Sequence, residues 1–192
     1  RAVWGDVSTE EPYAFWPRVT EGNLSDEGPV AGFASLQLGF SSSLTTMRQM
    51  PGDVRKEVLA RSSPESWTMP AYTSIEPSTV PPPGVRSSEA VRVAGDEGFP
   101  LAVLVEGSLE SAFAGRKLIL ERGRNVEVVE PVGLIEQGEP TAIIVFGGSV
   151  AFRDAFVGSH PGNADVVASV VDWLAGYEAG TVGGRGLESA VE

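Results

Sequence analysis

The sequence has no cysteine, a single histidine (His160) and only two lysines (Lys56 and Lys117) in 192 residues. Without thiols there are no disulfides, no cysteine nucleophile and no Cys-ligated zinc or iron–sulfur centre. One imidazole leaves no HExxH or other two-histidine spacing, and no segment carries the alternating oxygen ligands of a calcium loop, so no metal site is expected. Neither GxxxxGK(S/T) nor a GxGxxG after a strand is present, so no nucleotide cradle and no cofactor are expected. Positive charge is scarce as well: 14 Lys+Arg stand against 26 Asp+Glu, for a net charge of −12. That is the wrong sign for nucleic-acid backbones and for anionic lipid headgroups. Long apolar runs are missing too. Residues 101–105 and 142–146 are strand-sized, well short of the ~20 needed to span a bilayer. The first residue is Arg1, with neither a start Met nor a signal peptide, so the chain reads as a processed piece of something longer.

What is present is the text of a globular protein, 42% apolar and 21% charged. Residues 1–84 form a loop-rich first part. In it, Pro12-Tyr13-Ala14-Phe15-Trp16-Pro17 is an aromatic cluster bracketed by prolines, expected as a loop because proline supplies no backbone donor. Phe33, Leu36, Leu38 and Phe40 suit a strand, and Asp53 to Leu59 is a short charged segment. Residues 76–84 run Glu-Pro-Ser-Thr-Val-Pro-Pro-Pro-Gly, a semi-rigid connector. It marks either an internal boundary or a long surface loop within one domain. The second reading gives a single domain over 1–180, with 85–180 as its core and 181–192 as a flexible tail.

The stronger signals lie in that core. Residues 99–107 and 141–148 are nearly all-apolar runs ending in glycine, the pattern of strands covered on both faces. Leu118-Ile119-Leu120 and residues 126–129 suit a further strand or hairpin. A helix is expected from Asn163, a good N-cap, through Val166, Val167, Val170, Val171 and Leu174 to a stop at Gly176. Strand, glycine loop and amphipathic helix together predict an α/β fold. The expected form is a layered, mostly parallel sheet of flavodoxin-like or class I amidotransferase-like type with an irregular N-terminal extension.

In such a sheet ligands bind beyond the carboxyl ends of the strands. The candidate ligand-binding residues are therefore Gly147, Gly148 and Ser149 with Asn163 at the helix start, where free N–H groups favour anions. The same glycines would equally make a tight strand-to-helix turn. Gly147-Gly148-Ser149 is also one residue away from the G-x-S-x-G elbow, with His160 eleven residues on, which raises a serine hydrolase as the competing reading. That elbow needs a helix directly after the serine, whereas Phe152, Arg153, Asp154, Gly158 and Pro161 intervene. No catalytic residue is assigned. Tyr13, Phe15, Trp16 and Trp67 could line a small-molecule groove, but packing beneath long loops is the favoured expectation.

Several segments, in order, resemble the extracytoplasmic region of the GldG-like ABC-transporter auxiliary proteins. They are Val3-Trp4-Gly5-Asp6, the aromatic–proline stretch at 12–17, residues 59–67 (Leu-Ala-Arg-Ser-Ser-Pro-Glu-Ser-Trp) and the 98–107 strand. The most specific matches follow: Ile143-Ile144-Val145-Phe146-Gly147-Gly148-Ser149-Val150-Ala151-Phe152, Gly162-Asn163-Ala164-Asp165 and Val171-Asp172-Trp173-Leu174-Ala175-Gly176. Gly148 departs from the family, which usually has Asp there, and the family's first soluble half and flanking membrane helices have no counterpart in residues 1–192. The resemblance implies a non-enzymatic, gliding-motility-type subunit tethered on the periplasmic side of the inner membrane. It would work beside the permease and ATPase of an ABC transporter; a small ligand or saccharide is a further candidate binding partner, and the resemblance does not supply the transported substrate. A purely structural homo-oligomer is the third expectation, since a divided sheet exposes an edge.

Overall fold

The computed structural model describes residues 2–4, 7–9, 13–45, 53–70, 74, 76, 79–81, 85–122, 125–129 and 133–176. The 76–84 connector falls mostly outside these residues, and the 181–192 tail wholly so. The strands are β1 (Ala2–Trp4), β2 (Val7–Thr9), β3 (Arg18–Thr20), β4 (Ser35–Gln37), β5 (Arg55–Arg61) and β6 (Trp67–Thr68). They continue with β7 (Arg92–Val93), β8 (Pro100–Gly107), β9 (Leu118–Arg122), β10 (Asn125–Val129) and β11 (Thr141–Phe146). Among the described residues, the α-helices α1 (Asp154–Val157) and α2 (Gly162–Ala175) follow.

The central sheet has three strands in the order β11-β8-β5, and both pairings are antiparallel. The described residues form four further two-stranded antiparallel ladders: β1-β2, β3-β4, β6-β7 and β9-β10. This corrects the expected fold: the sheet is not the parallel layer of a flavodoxin-like or amidotransferase-like α/β protein. The all-apolar text of β8 suits a strand covered on both faces, and Leu101, Ala102, Val103 and Leu104 are buried. Covered faces say nothing of direction. Direction is set by the connection, and residues 108–140 lead from β8 to β11 through the β9-β10 hairpin, with no α-helix among those described.

Pairing places Ala102, Leu104 and Glu106 of β8 on one sheet face with Ala142, Ile144 and Phe146 of β11. That face carries the core. Leu104, Ala102, Leu59 and Ala60 pack there with Val19, Leu24, Val30, Leu36 and Leu38 from the first forty residues and with Ala151, Phe156 and Val166 from the C-terminal part. Leu36 and Leu59 are fully buried; cutting either to alanine would cost about 2–5 kcal/mol. The helix α2 closes this layer by packing on the 3-10 turn Gly28–Val30 and on β4. The Ser169 hydroxyl donates to the Pro29 carbonyl at 2.8 Å to fix it there.

Three local departures have simple causes. The charged segment at 53–59 contains most of β5, because Arg55, Lys56 and Glu57 occupy its solvent-facing start while Leu59 and Ala60 reach the core. The strand expected around Phe33 to Phe40 shrinks to Ser35–Gln37: Leu38 still donates to the Pro17 carbonyl, but Pro17 has no N–H to return, and Phe40 then turns the chain at φ 51°. Asn163 is not a cap but lies within α2, fully buried.

Candidate functional site

The end of β11 is a crossing of two backbones. Gly147 donates its N–H to the Leu101 carbonyl and accepts from the Ser42 N–H, both at 2.8 Å. A Cβ at Gly147 would lie 2.0 Å from the Ser42 carbonyl oxygen, and one at Gly148 would lie 3.1 Å from the Phe40 carbonyl oxygen. Glycine is thus required at 147, and the fit is tight at 148, because residues 39–42 pass directly against the strand end. Ser149 comes next, exposed, with its carbonyl accepting from Phe152 N–H at 3.2 Å.

Asn163 joins this loop to a distant strand. Its Oδ1 accepts from the Gln37 N–H at 3.1 Å, and its Nδ2 donates to the Gln37 carbonyl at 2.8 Å and to the Ala151 carbonyl at 2.9 Å. The amide therefore imitates a paired strand residue for Gln37 while holding the turn after Ser149. Both Nδ2 protons and one Oδ1 lone pair are engaged. Of the four candidate residues, Ser149 is the exposed one; Asn163 and the two glycines position it.

His160 sits elsewhere in function. Its ring stacks on Phe156 with centroids 4.3 Å apart, and Nδ1 donates to the Phe156 carbonyl at 3.0 Å. Trp16 meets both rings edge to face. Among the described hydrogen bonds none joins Ser149 to His160. The proline-bracketed aromatics form one continuous cluster: Tyr13 contacts Phe15, Trp16 and Phe40, and Phe15 contacts Trp67. Edge-to-face pairs of this kind contribute about 0.5–1.5 kcal/mol each beyond burial. Burial also pushes the Tyr13 phenol above its ordinary value of 10.0. Phe15 and Met69 line a cleft of about 520 Å³ whose other side carries Ser74, Thr79, Arg86 and Ser88.

A second polar cluster went unread in the sequence. Arg55 on β5 faces three carboxylates, Glu27 at 3.1 Å, Glu57 at 2.6 Å and Glu106 at 3.2 Å. Ser25 donates its hydroxyl to Glu57. Glu106 is 6% exposed, so the guanidinium compensates a buried charge. Only the register of β5 on β8, which sets Arg55 opposite Glu106, brings the pair together. Among the described residues no group of three or more His, Asp or Glu side chains could hold a metal ion, and no helix is long and apolar enough to cross a membrane.

These features define a small antiparallel β protein whose loops are tied by backbone crossings and a buried amide. Residues 4–169 match the family model of the ABC-type uncharacterized transport system. The chain belongs to that family, an auxiliary component of an ABC-type transport system. No curated protein matches the chain. No solved structure matches it either.

Proposed function

We propose that the chain is a non-enzymatic assembly and binding module on the periplasmic side of the inner membrane, working beside the permease and ATPase of its transport system. The observation that carries this is the family match over residues 4–169. An auxiliary family of this kind points to recognition rather than turnover, and the engagement of Asn163 and Gly147 in holding the fold fits that role. The relation to gliding-motility systems rests on the GldG-like segments alone. Residues 1–180 act as one folding unit, since the buried cluster draws on chain both before and after the 76–84 connector.

In this reading Gly147, Gly148 and Asn163 present Ser149 as a contact point at the sheet end. The cleft beside Phe15 and Arg86 is lined by one aromatic ring and the hydroxyls of Ser74, Thr79, Ser87 and Ser88, which suit a small polar ligand such as a saccharide. The test is affinity isolation of the full-length protein from detergent-solubilised membranes. Recovery of one permease and one ATPase in constant ratio supports the reading; recovery of neither overturns it. Covalent labelling of Ser149 by a fluorophosphonate, lost in Ser149→Ala, would replace it with a hydrolase.

A further inference from the structure

The two edges of the central sheet are built differently. The β5 edge is closed: Leu24 forms a bridge to Ala60, the Ser25 N–H donates to the Leu59 carbonyl, the register shifts at Val58/Ala60, and Arg55, Lys56 and Glu57 line its start. Covering, a bulge and charge are the usual devices that stop a strand edge from pairing again. Among the described residues the β11 edge has none of them. Gly147 N–H donates to Leu101, which fixes the ladder phase; residues 141, 143 and 145 then bond β8, and Ala142, Ile144 and Phe146 aim their N–H and C=O groups away from it. Among the described residues nothing pairs with those groups. The side chains beside them, Ile143 and Val145, are 43% and 42% exposed. On the same sheet face lie Val103 and Val105 of β8 and Val58 of β5, outside the core cluster.

We propose that this edge is the interface between two copies of the chain, which join β11 to β11 in an antiparallel pair. The strand is self-complementary. With a two-fold axis at Ile144, Ile144 faces its own copy, Ala142 faces the copy's Phe146, and Ile143 faces the copy's Val145. Each pair lies on one sheet face, so core faces core and the exposed β-branched residues meet each other. The residues with outward backbone groups, 142, 144 and 146, are the ones that become hydrogen-bonded partners in this register. The two three-stranded sheets become one six-stranded sheet, closed by symmetry and free of further growth at the blocked β5 edges.

Charge selects the same seam. Each chain carries −12, yet residues 140–149 contain no charged side chain, so like charges do not face each other where the strands meet. Long-range repulsion between the two acidic bodies remains and is screened by salt, so association strengthens as ionic strength rises. The seam is six residues, ~20 Å long, which places it among weak, concentration-dependent interfaces.

Sedimentation velocity over a range of protein concentrations, at low and high salt, reads this directly. The weight-average mass rises from 20.2 kDa toward twice that value, and more so at high salt. Ile143→Lys, at an exposed edge position, lowers the association constant at least about tenfold, or 1.4 kcal/mol, with thermal unfolding unchanged. Because the chain has no cysteine, the double variant Ile143→Cys/Val145→Cys forms a disulfide-linked dimer on mild oxidation, while Val128→Cys on the β9-β10 hairpin does not. A monomer at every concentration and salt overturns the proposal. So does a dimer that survives Ile143→Lys, or an edge that pairs only with a strand of a transport-system subunit.

Discussion

The side-chain amide of Asn163 hydrogen-bonds both the N–H and the C=O of Gln37, 126 residues earlier in the chain. A helix residue thereby completes the ladder of a short strand, and the same amide reaches Ala151 beyond the Ser149 turn. The helix, the β3-β4 hairpin and the sheet end are locked by one buried side chain. Asn163→Ala leaves the buried Ala151 carbonyl and the partly buried Gln37 carbonyl and N–H without this partner, and the expected loss is about 2–4 kcal/mol of unfolding free energy in urea. Asn163→Asp sets a carboxylate oxygen against two carbonyls and destabilises at least as much. A loss within the scatter of a surface substitution would show that water replaces the amide.

Gly147→Ala must move backbone rather than a flexible side chain, because the new methyl meets the Ser42 carbonyl. The expected cost is about 2–4 kcal/mol, typical of overpacking against rigid neighbours. Gly162→Ala is the matched control: nothing lies within 4 Å of its Cβ position, and it opens α2. Its effect is neutral or stabilising by up to ~1 kcal/mol. Thermal unfolding of both variants makes the comparison.

Arg55→Met strands Glu106, a buried carboxylate, without its guanidinium. Arg55 is itself 42% exposed, so solvent screens part of the interaction. The expected loss is about 2 kcal/mol, below the 3–5 kcal/mol of a fully buried broken pair. Glu106→Gln in the Arg55→Met background recovers much of that loss, and a double-mutant cycle in urea measures the coupling. Additive effects would mean that Arg55 works mainly through Glu57 and Glu27.

Tyr13 sets an alkaline limit. Burial raises its phenol above 10.0, so the folded state favours the neutral form relative to the unfolded chain. That contribution is fully present below pH 10 and is lost as pH rises through the raised value. Stability should therefore fall on the alkaline side, and Tyr13→Phe should flatten the fall. Melting temperatures of the two proteins from pH 8 upward give the readout; parallel curves would contradict it.

Much of the core was readable because it obeys local rules. The apolar run of β8 announces a strand covered on both faces, the spacing of Val166 and Val170 announces α2, and Leu118 to Val129 yields the β9-β10 hairpin. The direction of β11 was not readable: its all-apolar text suits a strand covered on both faces, whereas Thr141, Ile143 and Val145 are exposed and the strand pairs antiparallel at the sheet edge. β5 escaped because its first three residues are charged and its register shift breaks the alternation. The role of Asn163 escaped for a different reason. Its partner Gln37 is remote in sequence, and an asparagine before a helical run looks like a cap whether or not it caps. Gly147-Gly148 had been open to two readings, and the closeness of Ser42 and Phe40 accounts for both glycines through backbone packing.

The most direct test is the ATPase rate of the reconstituted permease–ATPase pair with and without the full-length auxiliary protein, followed through size-exclusion chromatography in detergent. Co-elution of all three and a changed rate on adding the auxiliary protein are expected, with no turnover by that protein alone. An unchanged rate, with the auxiliary protein eluting apart from the pair, would contradict it.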